Sequence, residues 1–152
     1  MSDLADELKK RHPFDSLAQE ATLAILRTSD QLENRLAQLM RGHGLTLSQY
    51  NVLRIVRGEG KPLPTLEVAD RMIQVAPAIT RVVEQLVTAG LITRTCSPAD
   101  RRVQLIAINA AGRRLLKKLD APVLELHDQL LSGASELELR RLIALLAKIR
   151  DH

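Results

Sequence analysis

Aromatic side chains are nearly absent: Phe14 and Tyr50 are the only ones in 152 residues, and there is no tryptophan. Proteins that hold single-stranded nucleic acid or RNA loops stack bases on aromatic rings, so those ligands are disfavoured. A duplex gripped through phosphates and groove edges needs no such platform. Cysteine is equally scarce. A single residue, Cys96, excludes an internal disulfide framework and any cysteine-rich zinc site, and fits a reducing compartment. Long apolar runs are missing too. None approaches the roughly 20 residues of a membrane span, and the charged start MSDLADELKKRH lacks the apolar core of a signal peptide. A cytoplasmic protein without membrane association is the expectation.

Catalytic signatures are also missing. There is no nucleophile elbow, phosphate-cradling glycine loop or H-E-x-x-H, so an enzyme reading has no residues to stand on. The histidines His12, His43, His127 and His152 show no paired ligand spacing, so neither a metal nor a cofactor is expected.

What is present is one domain's length of chain with an ordinary hydrophobic content of 45%. The net charge of +4 is mild, but it is unevenly spread. Between Arg94 and Lys118 there are seven bases (Arg94, Arg101, Arg102, Arg113, Arg114, Lys117, Lys118) and one acid, Asp100, so this segment carries +6 and the remainder −2. A local excess of this kind suits a surface that meets a polyanion.

Apolar residues from Phe14 through Leu17, Ala18, Ala21, Ile25, Thr28, Leu32, Leu36 and Leu39 recur at three- and four-residue steps, predicting a long helix after a short arm carrying Leu4 and Leu8. Thr46 and Gln49 then form a capping box, with Leu45 and Tyr50 placed as a hydrophobic staple, and Gly58 and Gly60 stop that second helix. KPLP allows only a short edge strand. Thr65 is the expected N-cap of a short helix through Leu66, Ala69 and Met72. A further helix follows, burying Ile79, Val82, Val83, Leu86 and Val87 and leaving Thr80, Arg81, Glu84, Gln85 and Thr88 outward. Its start is expected near Val75 or Ala76, which offer no capping side chain.

Two short helices in this order are a helix-turn-helix pattern, which is weak evidence alone. LITRTC, the turn SPAD and RRVQLIAI then read as an antiparallel hairpin appended to it, that is, a wing. Asn109 caps a long helix bent at Pro122, and Ser135 with Glu138 caps a last helix expected to bury Leu139, Leu142, Ile143, Leu146 and Ile149. The fold class is therefore mainly α with a small β-hairpin wing: a winged helix-turn-helix unit at 45–108 and a helical lobe from 1–44 and 109–152, in one structural domain.

This order resembles the MarR family of bacterial winged helix-turn-helix regulators over essentially the whole chain. The wing motif is the specific part: Asp-x-Arg at the tip, then a β run, a capping Thr or Asn and a Gly three residues on, here Asp100, Arg102, Asn109 and Gly112. The resemblance implies that Pro77, Ala78, Thr80, Arg81 and Glu84 lie on the recognition helix in the major groove of double-stranded DNA. It implies that Arg102 enters the minor groove, that Asp100 orients the wing by pairing with an arginine, and that Arg101 fits a phosphate contact. The helical lobe would form a homodimer. A small aromatic or phenolic acid would bind between the lobes, near His43 and Tyr50, and release a repressor from a pseudo-palindromic operator.

Physical chemistry supports two of these roles independently. Arg81, one turn into its helix, offers a bidentate fork to guanine. Arg102 suits an electronegative minor groove because a planar guanidinium is weakly hydrated. Arg113, Arg114, Lys117 and Lys118 are as well explained by a solvated helix face as by a phosphate rail. Cys96 has a redox reading only if a neighbouring arginine stabilises its thiolate. The competing functional reading is a winged-helix interaction module or antirepressor without specific DNA binding, whose exposed face would be apolar or acidic.

Overall fold

A computed structural model describes residues 3–74 and 78–151. Helix α1 (Asp3–Glu7) is the short arm, and α2 (Leu17–Arg41) is the long amphipathic helix. The apolar stripe is read from Phe14, but the helix begins three residues later. Ser16 accepts from the Gln19 amide and fixes the start there.

Helix α3 (Leu47–Glu59) has the expected capping box: the Gln49 amide donates to the Thr46 hydroxyl, and the Thr46 amide donates to the Gln49 side chain. Leu45 and Tyr50 are both buried, as a staple requires. The helix runs through Gly58 and stops at Gly60, whose φ of 73° ends it in the left-handed region. Strand β1 (Leu63–Pro64) is the edge strand that KPLP permits.

Helix α4 (Thr65–Asp70) corrects one detail, because Thr65 is its first residue rather than its cap. Pro64 holds the cap position without a side-chain bond, and the Thr65 hydroxyl donates instead to the Gln104 carbonyl. After α5 (Ile79–Thr88) come β2 (Ile92–Cys96) and β3 (Gln104–Ile108). These strands form a three-stranded antiparallel sheet in the order β1-β3-β2, with Ile92 opposite Ile108 and Cys96 opposite Gln104. The central strand turns Ile106 and Ile108 into the core.

Helix α6 (Ala110–Leu130) carries Pro122 inside it, and α7 (Glu136–Arg150) closes the chain with the expected Ser135 and Glu138 capping box. One buried cluster joins Met40, Leu53, Val56, Val68, Val83, Leu86, Ile106, Leu116 and Leu119, so α3 and α6 serve both the sheet and the helical part. Among the described residues no helix is long and apolar enough to cross a membrane.

The last helix departs from expectation. It buries no residue: Leu142, Ile143 and Ile149 are 43%, 66% and 55% exposed, and Leu139 and Leu146 are half-buried. The periodicity is right, but the single chain supplies no second layer to cover it. Leu17 and Leu26 on α2 are likewise exposed.

The wing and α6 meet at Gly112. A β-carbon there would lie 2.4 Å from the Leu91 carbonyl oxygen and 2.7 Å from Ile108 Cγ1, and the first of these is backbone that no rotamer change relieves. Gly112→Ala should therefore lower unfolding free energy by about 3 kcal/mol. Urea denaturation checks this, and an unchanged midpoint at constant slope would refute the close approach.

Candidate nucleic-acid interface and interlobe cavity

Helix α5 starts at Ile79, with Ala78 as its cap (φ −128°, ψ 44°) and no side chain bonding its first amides. The sequence placed this cap near Val75 or Ala76. Ala78 is thus the cap residue rather than a helical one, and Pro77 lies outside the described residues with Val75 and Ala76. Val83 and Leu86 are buried, Ile79, Val82 and Val87 pack on the same core, and Thr80, Arg81, Glu84, Gln85 and Thr88 are exposed. The helix is fixed laterally where the Gln49 side-chain amide donates to Gln85 Oε1 at 3.0 Å, tying it to the first turn of α3.

The wing tip is built from backbone bonds. Ser97 donates to the Val103 carbonyl at 2.9 Å, and Val103 donates to the Asp100 carbonyl at 3.0 Å. Asp100 braces the turn in a way the sequence reading did not anticipate: its Oδ1 accepts from the backbone N–H of Arg102 at 3.0 Å, and among the described residues it pairs with no arginine. A carboxylate two residues back reaches the amide more readily than a guanidinium on a long stem. Arg101 and Arg102 are exposed and form no ion pair among the described residues.

Glu84, the one acid on the outward face of α5, lies 4.0 Å from Arg94 Nη1 on β2. That pair is largely solvated and weak, but it offsets the negative charge on this face. Cys96 is exposed and its sulfur accepts from the Gln104 amide at 3.4 Å. Arg113, Arg114, Lys117 and Lys118 are all exposed on α6. No group of three or more potential metal-binding side chains occurs among the described residues.

A cavity of about 880 Å³ opens between α2, α3, α6 and α7. Leu32 and Leu36 line it from α2, Leu142 and Leu146 from α7, and Tyr50, Asn51 and Arg54 from α3. Of the two effector candidates read from sequence, it takes Tyr50 and leaves out His43, whose Nδ1 donates to the Leu39 carbonyl at 3.1 Å in the turn of the helix it follows. Burial is the main reason the Tyr50 phenol is pushed above its usual range, and the nearby Arg54 charge acts against it. Sequence reading missed Asn51 and Arg54. The signal was the polar Asn51 beside Val52 and Leu53, in a stretch where helix packing buries all three.

One strong polar tie holds α3 against α6. Arg57 grips Asp120 with two bonds of 2.9 and 2.8 Å, and this hydrogen bonding with the guanidinium holds the Asp120 carboxyl below the usual range.

Comparison with known proteins now decides the class. A model of the MarR family matches residues 45–103, the winged helix-turn-helix portion. The crystal structure of a MarR transcription factor from Planctomyces limnophilus is 39% identical, covers 89% of this chain and 98% of its own, and superposes with a TM-score of 0.69. The chain belongs to the MarR family. It is a MarR-family transcription regulator with the winged-helix fold, as the resemblance in the wing motif implied. The HTH-type transcriptional regulator MhqR of Bacillus subtilis is 25% identical over 127 residues, 84% of this chain and 87% of MhqR. A mutant of Escherichia coli MarR, solved in complex with operator DNA, shares the fold at 21% identity, with a TM-score of 0.78 over 97% of this chain and 99% of its own.

Arg57→Ala should lower stability at neutral pH by about 0.5–1 kcal/mol, allowing for solvent screening of a half-exposed pair. Because the Asp120 pKa is depressed in the folded protein, its contribution is present above the ordinary aspartate range, about 4, and is lost as pH falls through the lower folded value. The gap between the two proteins should close in acid, and denaturation at a series of pH values measures it. A gap unchanged in acid would refute the assignment.

Proposed function

We propose that this regulator binds a pseudo-palindromic duplex operator as a homodimer, acts as a repressor in the cytoplasm, and is released by a small molecule held between its lobes. In this reading 45–108 is the DNA-binding lobe, and 1–44 with 109–152 is the dimerisation lobe. The observation that carries it is the pairing of an exposed polar face on α5 (Thr80, Arg81, Gln85) with a wing tip whose Arg101 and Arg102 are exposed. The outward residues of α5 (Thr80, Arg81, Glu84, Gln85 and Thr88) are all polar or charged.

The roles follow from chemistry. Arg81 reads a base edge in the major groove, with Ala78 and Thr80 beside it and Pro77 preceding them. Glu84, offset by Arg94, meets a base amino group or solvent rather than phosphate. Arg102 enters the minor groove and Arg101 meets a phosphate, while Asp100 shapes the turn that carries both.

The dimer reading rests on α7 and α2, where leucine and isoleucine side chains stand exposed on helices with correct amphipathic spacing. A two-fold pair of such lobes sets the recognition helices about one DNA turn, roughly 34–36 Å, apart. A ligand that prefers dimers with another spacing shifts the population away from the operator.

Selection of duplexes from a random pool by the purified protein should return two inverted half-sites one helical turn apart; recovery without sequence preference would refute specific operator binding. On the selected duplex, Arg102→Ala should weaken binding by about tenfold or more, a loss of about 1–3 kcal/mol, with the dimer intact by sedimentation. Arg81→Ala should also relax base preference, and Arg101→Ala should reduce the slope of log affinity against log salt by about one. Equal binding of wild type and Arg102→Ala across the salt titration would refute the wing assignment.

A further inference from the structure

The interlobe cavity has a composition and shape that specify its occupant more closely than a compact phenolic acid does. Its lining on α2 runs from Ala24 to Leu36, about 18 Å of helix, and Leu142 and Leu146 form the facing wall. At about 880 Å³ it lies towards the upper end of small-molecule sites. A single-ring acid would leave most of these apolar walls without contacts.

The α3 side of the cavity is polar and unsatisfied. Asn51 is 7% exposed and Tyr50 is 8% exposed, yet neither side chain has a hydrogen-bond partner among the described residues. Buried polar groups are ordinarily paired, so these two call for a ligand group. Arg54, one turn beyond Tyr50 on the same face of α3, makes no ion pair among the described residues, and neither does Arg150 across the cavity. The carboxylate on the lining, Glu33, is already engaged by the Ser29 hydroxyl at 3.2 Å and by the Gln74 amide. His127 is the remaining titratable group besides Tyr50. Arg54 and Arg150 outnumber Glu33 on the lining, so its net formal charge is positive, and nine of its residues are aliphatic.

We propose that this cavity binds a long-chain amphipathic carboxylic acid, with its head group on Tyr50, Asn51 and Arg54 and its chain lying along α2 against α7. Arg54 supplies the charge-assisted bond, and the phenol and amide supply the two neutral ones. Both lobes contribute to the site, since α3 belongs to the helix-turn-helix and α2 and α7 to the helical lobe. Gln74 and Glu33, joined by a hydrogen bond, both belong to the lining. The inference rests on the ligand-released reading proposed above and narrows its ligand class.

Calorimetric titration of the full chain with hexadecanoate, hexadecanol and benzoate, below aggregation concentrations, tests it. Hexadecanoate should bind at one per protomer and at least about tenfold more tightly than either other probe. Arg54→Gln, at an exposed position that leaves the core untouched, should bring hexadecanoate down to the level of hexadecanol and leave hexadecanol unchanged. Asn51→Leu should weaken hexadecanoate by a similar factor. Benzoate binding as tightly as hexadecanoate, an unchanged Arg54→Gln, or a homodimer that takes up no hexadecanoate because the second copy fills the cavity would each overturn the proposal. Hexadecanoate binding by a protein that selects no duplex sustains the site and removes the operator reading. Duplex selection without hexadecanoate binding does the reverse.

Discussion

The joint where three elements meet at Asn109 and Gly112 governs the rest of the molecule. Asn109 Nδ2 donates to the Gly90 carbonyl at 2.7 Å, and its Oδ1 accepts from the Gly112 amide at 2.9 Å. One side chain thus caps α6 and holds the turn that follows α5. The backbone of Leu91 can come this close only because position 112 has no side chain. The tail of α5, the root of the wing and the first turn of α6 therefore move as one piece. The angle between α5 and the wing is thereby set at this joint.

Two contacts tie that joint to the other helices. One is apolar: Leu116 and Leu119 on α6 pack fully into the cluster that also holds Val83 and Leu86 of α5. The other is polar, through the Arg57 and Asp120 pair on the solvent side of the same helix contact. The large cavity lies between α2, α3, α6 and α7, and the hydrogen-bonded pair Gln74 and Glu33 is part of its lining.

Much of this was legible in the chain. Thr46 with Gln49 and Ser135 with Glu138 name their own helix starts because capping is local, within three residues. Ile79, Val82, Val83, Leu86 and Val87 name the buried face of α5 by spacing alone. Less was legible where two partners competed for one group. Asp100 turned to a neighbouring amide instead of a guanidinium, Thr65 to the Gln104 carbonyl instead of its own helix, and His43 to the Leu39 carbonyl instead of a ligand space. In each case the residue type was informative, but the nearest acceptor or donor was set by how the chain bends.

The sequence by itself determined which segments are helix, where the wing lies, that its tip carries two arginines, and hence the family resemblance, because these depend on periodicity, capping and turn chemistry within a few residues. Tertiary structure alone decided that the amphipathic face of α7 stays uncovered, that Gly112 is a close-approach position, and that Tyr50, Asn51 and Arg54 border a cavity while His43 does not. Those facts depend on which surfaces meet. Periodicity states that a face is apolar, but whether it is buried, left for a second chain or left as a space for a ligand is settled only when every other element has taken its place.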